Sequence, residues 1–443
     1  MDLWNENFVL TGPVPTSAEP RLLRMDLPLA MDLLPPMDLP LAMDLLPPMD
    51  LPLAMDAITG AASAISACYT PMQNPLAWER AASAMLDEAA RHALRTVTGN
   101  EAELEGIRVI LAQCLSAIRR SEVTIAFAGH FNTGKSTLLN GLLGRDLLPV
   151  DDVIETGALC ILHAGAPDEK DRGEKDQGWE HASAQTREFT CTSAALREIG
   201  SLLPGTDTPR SRLSVIDYLE VTLQNTPLLP GMRWMDTPGM DNEQDMTDCA
   251  WRGTQQADIT LWVLNAKQIL SQGEMQFISR CVEESGAESV VFALNAFLTA
   301  DTPTHWQEFL DTRAQRLIGK VHDYASDMGF SSSRLPPIIP VSGRAFRRPE
   351  DDPLREISRD AGVDYGRDAV MALLTNIHTG ADPRSLRTRL YRIGRLLTAH
   401  CRVAQSLQQQ NQHALFNTPV QAFLAALFQL GEQALLLAQS VWQ

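Results

Sequence analysis

Short apolar runs alternate with longer amphipathic stretches over the middle of this 443-residue chain, and run length separates strand from helix. Val123–Ala128, Tyr218–Leu223, Met232–Met235, Ile259–Leu264, Ser289–Leu294 and Pro337–Val341 are brief and rich in β-branched and aromatic residues, so they predict buried strands. Ala158–His163 is a further apolar segment. Helical spacing of apolar positions predicts helices over Ser136–Leu143, Ser193–Leu203 and Glu274–Glu284. Strands alternating with helices imply a mostly parallel sheet covered on both faces. In such sheets ligands sit at the carboxyl ends of the strands.

Outside this core the pattern changes. Leu76–Arg120 predicts two helices broken near Thr98-Gly99-Asn100, with Ile107, Ile110, Leu111, Cys114 and Ile118 on one face of the second. Beyond Arg347 the chain predicts helices, notably Ser385–Gln410, basic at its start, and Thr418–Gln443, whose single charge is Glu432. The last helix is read as one member of a bundle packing on 76–120, because a membrane-facing helix usually carries a Lys/Arg-rich polar face. Residues 164–187 are charged and contain glycine, which predicts an exposed insertion. Residues 25–56 repeat MDLPLA and MDLLPP; proline in every hexad breaks helix and predicts an extended linker.

Composition narrows the function. A net charge of −18 excludes broad nucleic-acid binding, which needs a basic face, and disfavours loose attraction to anionic lipid. The seven cysteines form no C-x-x-C or Cys/His cluster and read as buried reduced thiols. The first ten residues lack a basic segment and no run of eighteen apolar residues occurs, so neither a signal peptide nor a transmembrane helix is expected, and a cytoplasmic location is.

One stretch carries specific chemistry. Gly129-His130-Phe131-Asn132-Thr133-Gly134-Lys135-Ser136 fits G-x-x-x-x-G-K-[ST] between a predicted strand and a predicted helix. Its glycines let consecutive backbone N–H groups curl round a phosphate, and the helix N-terminus adds positive potential. Lys135 is expected to reach the β- and γ-phosphates, and Ser136 to ligate Mg²⁺. About a hundred residues on, a strand runs into Asp236-Thr237-Pro238-Gly239. An aspartate there can hold Mg²⁺ through water, and the Gly239 amide can approach the γ-phosphate. Thr156, in a loop after Leu147-Leu148-Pro149, is a candidate for Mg²⁺ and for the attacking water; taken alone it reads equally as a turn residue.

The order N-T-G-K-S-T-L-L-N-G-L-L-G, L-L-P with a downstream threonine, D-T-P-G, A-D-I-T-L-W-V-L-N-A and Q-I-L-S-x-x-E resembles the bacterial dynamin-like GTPases over roughly 76–347. The resemblance implies an α/β P-loop GTPase domain with a mostly parallel sheet, flanked by N- and C-terminal helices forming a short bundle. The implied division is 1–75 low-complexity region, 76–120 helices, 121–347 GTPase domain and 348–443 helical bundle or partial stalk. It implies GTP hydrolysis with Mg²⁺ and self-association across the nucleotide face, with membrane lipid or a longer paralogue as further partners and a peripheral place at a membrane. By position, Gly129 to Thr137 would be the phosphate loop, with Lys135, Thr156 and Gly239 in catalysis and Ser136, Thr156 and Asp236 toward the metal. Asn295 would take the first place of the base-reading N-K-x-D motif, and Ser342-Gly343 would lie in the last base-contacting loop. Asn295-Ala296-Phe297-Leu298 lacks both the lysine and the aspartate of that motif, Asp301 lies nearby, and the choice between GTP and ATP stays open. The alternative is a nucleotide-gated binding module with little hydrolysis.

Overall fold

The computed structural model describes residues 122–150, 155–165, 176–182, 185–202, 216–240, 244–296, 300, 302–332, 334–346, 352–410 and 418–439. The 25–56 repeat, the predicted helices of 76–120, and Phe297, Leu298 and Asp301 lie outside the described residues.

Alternation of strand and helix holds through the middle of the chain. Strand β1 (Val123–Ala128) leads into α1 (Lys135–Leu143). Then come β2 (Glu155–Thr156), β3 (Cys160–Ala164), β4 (Gln177–Ala182), β5 (Gln185–Thr190), α2 (Ser193–Gly200), β6 (Ser201–Leu202), β7 (Ile216–Leu223) and β8 (Met232–Asp236). Next are α3 (Gln244–Gln256), β9 (Ile259–Asn265), α4 (Gln272–Ser285) and β10 (Val290–Asn295). A π-helical turn, Phe309–Ala314, joins α5 (Pro303–Glu308) to α6 (Gln315–Asp323). The chain continues through β11 (Ile338–Val341), α7 (Gly343–Phe346), α8 (Pro353–Asp360), α9 (Arg367–Thr379), α10 (Arg384–Gln410) and α11 (Thr418–Gln439).

Nine strands form one sheet in the order β11-β10-β9-β1-β8-β3-β7-β4-β5. From β11 to β8 every neighbouring pair is parallel, while β3 runs antiparallel to β8. β1 feeds both faces: Ile125 and Phe127 pack with Leu138, Trp234 and Leu374, while Ala128 joins Trp262, Phe277 and Phe292 on the other side. That two-sided burial is why β1 reads as an unbroken apolar run.

One expectation is corrected. Residues 164–187 are not simply an exposed insertion, because Gln177–Ala182 and Gln185–Thr190 are strands that extend the sheet. β5 lies at the sheet edge with mostly exposed side chains, so no apolar alternation marks it in the sequence. Helices α3, α5 and α6 also lie outside the helices the sequence pattern predicts.

The C-terminal helices α10 and α11 pack on each other. Leu390, Ile393, Leu397 and Cys401 on one face Leu427, Leu430, Ala434 and Ala438 on the other, each set buried and spaced three or four residues apart. The basic start of α10 grips the amino-terminal end of the sheet. Arg389 forms a 2.8 Å ion pair with the buried Asp258 and donates to the Glu122 carbonyl. Asp258 in turn accepts from the Thr124 N–H at 2.9 Å. Among the described residues no helix is long and apolar enough to cross a membrane, and the five described cysteines are buried free thiols.

Candidate phosphate-binding site

The carboxyl ends of β1, β8, β9, β10 and β11 fall side by side at Ala128, Asp236, Asn265, Asn295 and Val341. Every turn that carries candidate chemistry, that of Thr156 excepted, leaves the sheet at this edge. After β1 the chain cannot continue straight, because Gly129 lies against β9: a Cβ there would stand 2.6 Å from the Val263 carbonyl oxygen. Asn132 (φ 57°) and Gly134 (φ 89°) then take left-handed conformations that curl the loop before α1 starts. The loop is stitched to the turn after β8, with Phe131 N–H donating to the Met240 carbonyl and Met240 N–H to the Gly129 carbonyl, both at 3.2 Å. Gly239 permits this approach, since a Cβ would come within 2.9 Å of the Phe131 Cα.

The buried Lys135 ammonium bridges the loop, donating to the carbonyls of Gly129 at 3.2 Å and His130 at 3.0 Å. Burial pulls its pKa down to about 8, against the opposing pull of the Asp236 and Glu274 carboxylates. Ser136 Oγ donates to Asp236 Oδ2 at 2.9 Å across a hundred positions of sequence. A hydroxyl and a buried carboxylate at the mouth of a phosphate-type loop are hard oxygen donors, the set that suits Mg²⁺. The site residues present therefore fit that ion. Thr133 closes the loop by donating to the His130 carbonyl at 3.0 Å, and Thr137 is half-buried in the first turn of α1.

Asn295 ends β10 fully buried beneath the loop. Its Nδ2 donates to the Thr133 carbonyl at 2.9 Å, and its Oδ1 accepts from the Gly343 N–H at 3.4 Å. It thus ties the phosphate loop to the turn after β11, a role that the pattern of the sequence did not disclose. Ser342 is buried beside it, and its hydroxyl makes no hydrogen bond among the described residues. Close packing fixes this turn on α1, where a Cβ on Gly343 would be 3.2 Å from the Leu138 backbone.

Thr156 stands apart. Rather than a free loop, the backbone places it in the two-residue strand β2, opposite Ser201 of β6. The structure thus brings together Gly129, Asn132, Thr133, Gly134, Lys135, Ser136, Thr137, Asp236, Gly239, Asn295, Ser342 and Gly343, and leaves Thr156 in a separate ladder. The sequence marks Glu274 only as the start of a predicted helix and the last residue of Q-I-L-S-x-x-E; the burial of its carboxylate and its capping box with Ser271 are seen only in the structure.

The sequence model of the dynamin family matches residues 125–297. Dynamin-like protein 1 of Campylobacter jejuni is 25% identical over 217 residues, covering 43% of this chain and 29% of that protein. Dynamin-like protein A of Bacillus subtilis is 25% identical over 186 residues, covering 42% and 14% respectively. The bacterial dynamin-like protein of Nostoc punctiforme is 25% identical over 174 residues, covering 38% and 24%. This chain therefore spans less than a third of the length of these relatives. Among solved structures, an oligomerised bacterial dynamin pair described as a mechanism for long-range sensing and tethering of membranes covers 74% of this chain and 50% of its own, at 16% identity and a TM-score of 0.40.

Proposed function

We propose that this chain, which carries a dynamin-family GTPase domain over residues 125–297, binds a magnesium nucleoside triphosphate at the loop 129–137 and hydrolyses GTP between the β- and γ-phosphates. The observation that supports this most is the convergence of Lys135, Ser136 and Asp236 at the carboxyl edge of the parallel strands, with Ser136 and Asp236 in direct contact.

Each residue has a physical task in this reading. Successive backbone N–H groups of the curled loop and the start of α1 bind phosphate oxygens. Lys135 exchanges its loop carbonyls for the β- and γ-phosphates and stabilises charge on the transferring phosphoryl. Ser136 and Asp236 hold Mg²⁺, which neutralises phosphate charge when bound. The Gly239 N–H approaches the γ-phosphate, and Thr156, which here stands in the β2 ladder away from the loop, would have to leave that ladder to orient the attacking water and serve as a further ligand of Mg²⁺. Met240 follows Gly239, so that position supplies no side-chain amide to orient water. Turnover is accordingly slow in the isolated chain and rises when two nucleotide faces meet.

The remaining assignments belong to the same proposal: a GTPase unit over 121–347 with a bundle of 348–443 on it, and membrane lipid or a longer paralogue as partner. Measuring phosphate release per chain at rising protein concentration tests the central part. A specific rate that climbs with concentration supports self-association, a flat rate removes it, and the absence of release above the Lys135→Ala background removes hydrolysis.

The second reading is a nucleotide-gated binding module. It is favoured by one observation, the loss of lysine and aspartate from Asn295-Ala296-Phe297-Leu298. A partner retained only in the triphosphate state, with no phosphate release, would select it.

A further inference from the structure

A cavity of about 310 Å³ lies where the helices α10 and α11 meet the sheet unit. Its walls come from the end of α4 and the 3₁₀ turn Ala287–Ser289, from the loop between α6 and β11, and from the two helices. The 3₁₀ turn leads straight into β10, whose far end carries Asn295 and the phosphate loop. The length of that strand, on the order of 20 Å, separates the cavity from the phosphate site.

Ser285, Glu288, Ser331, Arg334, Arg387 and Tyr391 line it. The Glu288 carboxylate is gripped by three guanidinium groups: Arg334 at 2.9 Å, Arg384 at 3.2 Å and Arg387 at 3.8 Å. Arg384 also pairs with Asp382 at 3.0 Å and points away from the cavity wall. The two arginines that do line the cavity, Arg334 and Arg387, share a single oxygen of Glu288, its Oε1. A carboxylate has about four acceptor positions, far fewer than the donors that three guanidinium groups carry. The planar fork of arginine matches phosphate oxygens as well as it matches a carboxylate.

The other wall is apolar. Val282 and Ala438 are buried there, and the Tyr391 ring lies against the turn at Gly286, where a Cβ would stand 3.0 Å from it. The volume falls at the small end of ligand sites, which run from about 300 to 1,000 Å³. That size suits a phosphate carrying a short organic group better than a bare ion.

We propose that this cavity binds a phosphate ester. Arg334 and Arg387 hold the phosphate oxygens, Ser331 stands at the rim, and the organic part rests on Val282, Ala438 and the Tyr391 ring. Arg334 belongs to the sheet unit and Arg387 to the helix pair, so one ligand held by both ties α10 to the loop before β11. The inference goes beyond the nucleotide reading and does not depend on it.

Ser331 gives the test, because it is exposed and its replacement leaves the grip on Glu288 in place. The full chain and its Ser331→Lys and Ser331→Glu variants are titrated with glycerol 3-phosphate, and separately with phosphatidylcholine vesicles containing phosphatidic acid. Vesicles brought to the same surface charge with phosphatidylserine are the control. The dissociation constant is expected to fall about three- to tenfold in Ser331→Lys and to rise as much in Ser331→Glu, the size of one charge placed near solvent. Tightening is an outcome that damage to the fold does not produce, and any uptake by the loop 129–137 is common to all three proteins. That order with the soluble ester supports a free phosphate ester as ligand. The same order with phosphatidic acid vesicles alone supports a lipid headgroup. No binding of either probe, equal affinity in the three proteins, or equal binding to the phosphatidylserine vesicles overturns the proposal.

Discussion

Asn295 donates a 2.9 Å hydrogen bond to the carbonyl of Thr133, a residue 162 positions earlier in the chain. The same side chain accepts from the Gly343 N–H, so one amide joins the phosphate loop to the turn after the last strand of the sheet. Asn295→Ala would leave two buried backbone groups without this partner, at a cost of about 1–3 kcal/mol. We expect a lower midpoint of chemical denaturation and a weaker nucleotide complex. Asn295→Asp keeps the acceptor but not the donor, so it should restore only the Gly343 bond.

The contact between Ser136 and Asp236 gives a second prediction. Removal of either oxygen donor should weaken Mg²⁺-dependent nucleotide binding while changing metal-free binding little. Titration of Ser136→Ala and Asp236→Ala with nucleotide in Mg²⁺ and in chelator checks this. Equal loss in both conditions would mean that the pair supports the loop and does not face a metal.

Lys135 sets a pH dependence. Burial lowers its pKa from 10.5 to about 8, so in the nucleotide-free protein the ammonium discharges as pH rises through 8. Phosphate requires the charged form. Triphosphate affinity should therefore fall above about pH 8, approaching tenfold per unit, until the pKa of the bound state is reached. Lys135→Arg stays charged across this range and should give a flatter profile, whatever its absolute affinity. Stability moves the opposite way: between about 8 and 10.5 the unfolded chain binds more protons than the folded one, so folding strengthens as pH rises through that window.

The Arg389–Asp258 pair anchors α10 to the base of the sheet, far along the strands from the phosphate loop. Both side chains are largely buried, so loss of one partner strands the other. Arg389→Met or Asp258→Asn should each cost about 3–5 kcal/mol, and the double variant should cost much less than their sum. Urea denaturation of the three variants measures this.

What the sequence disclosed was what is local. Val123–Ala128 is a continuous apolar run because both of its faces are covered, and the glycines and lysine of 129–136 lie in one window. The bond from Asn295 to Thr133 has no local signature, because topology alone brings the ends of β10 and β1 to one edge. β5 escaped notice because an edge strand with exposed side chains carries no apolar alternation, and β4, paired on both sides but only half-buried along most of its length, carries little more. Glu274 was visible only as the start of a helix and the last residue of Q-I-L-S-x-x-E, and its burial has no local signature; nor has the left-handed conformation of Leu270 before that helix, which runs against local preference.

The most direct test of the account is calorimetric titration of the chain with non-hydrolysable GTP and ATP analogues in Mg²⁺, beside Lys135→Ala. The wild-type chain is expected to bind the GTP analogue, and Lys135→Ala to lose that binding. An ATP analogue bound equally well would show that Asn295-Ala296-Phe297-Leu298 leaves the base unread while the phosphate site stands. Heat from neither analogue, or heat unchanged by Lys135→Ala, would contradict the account.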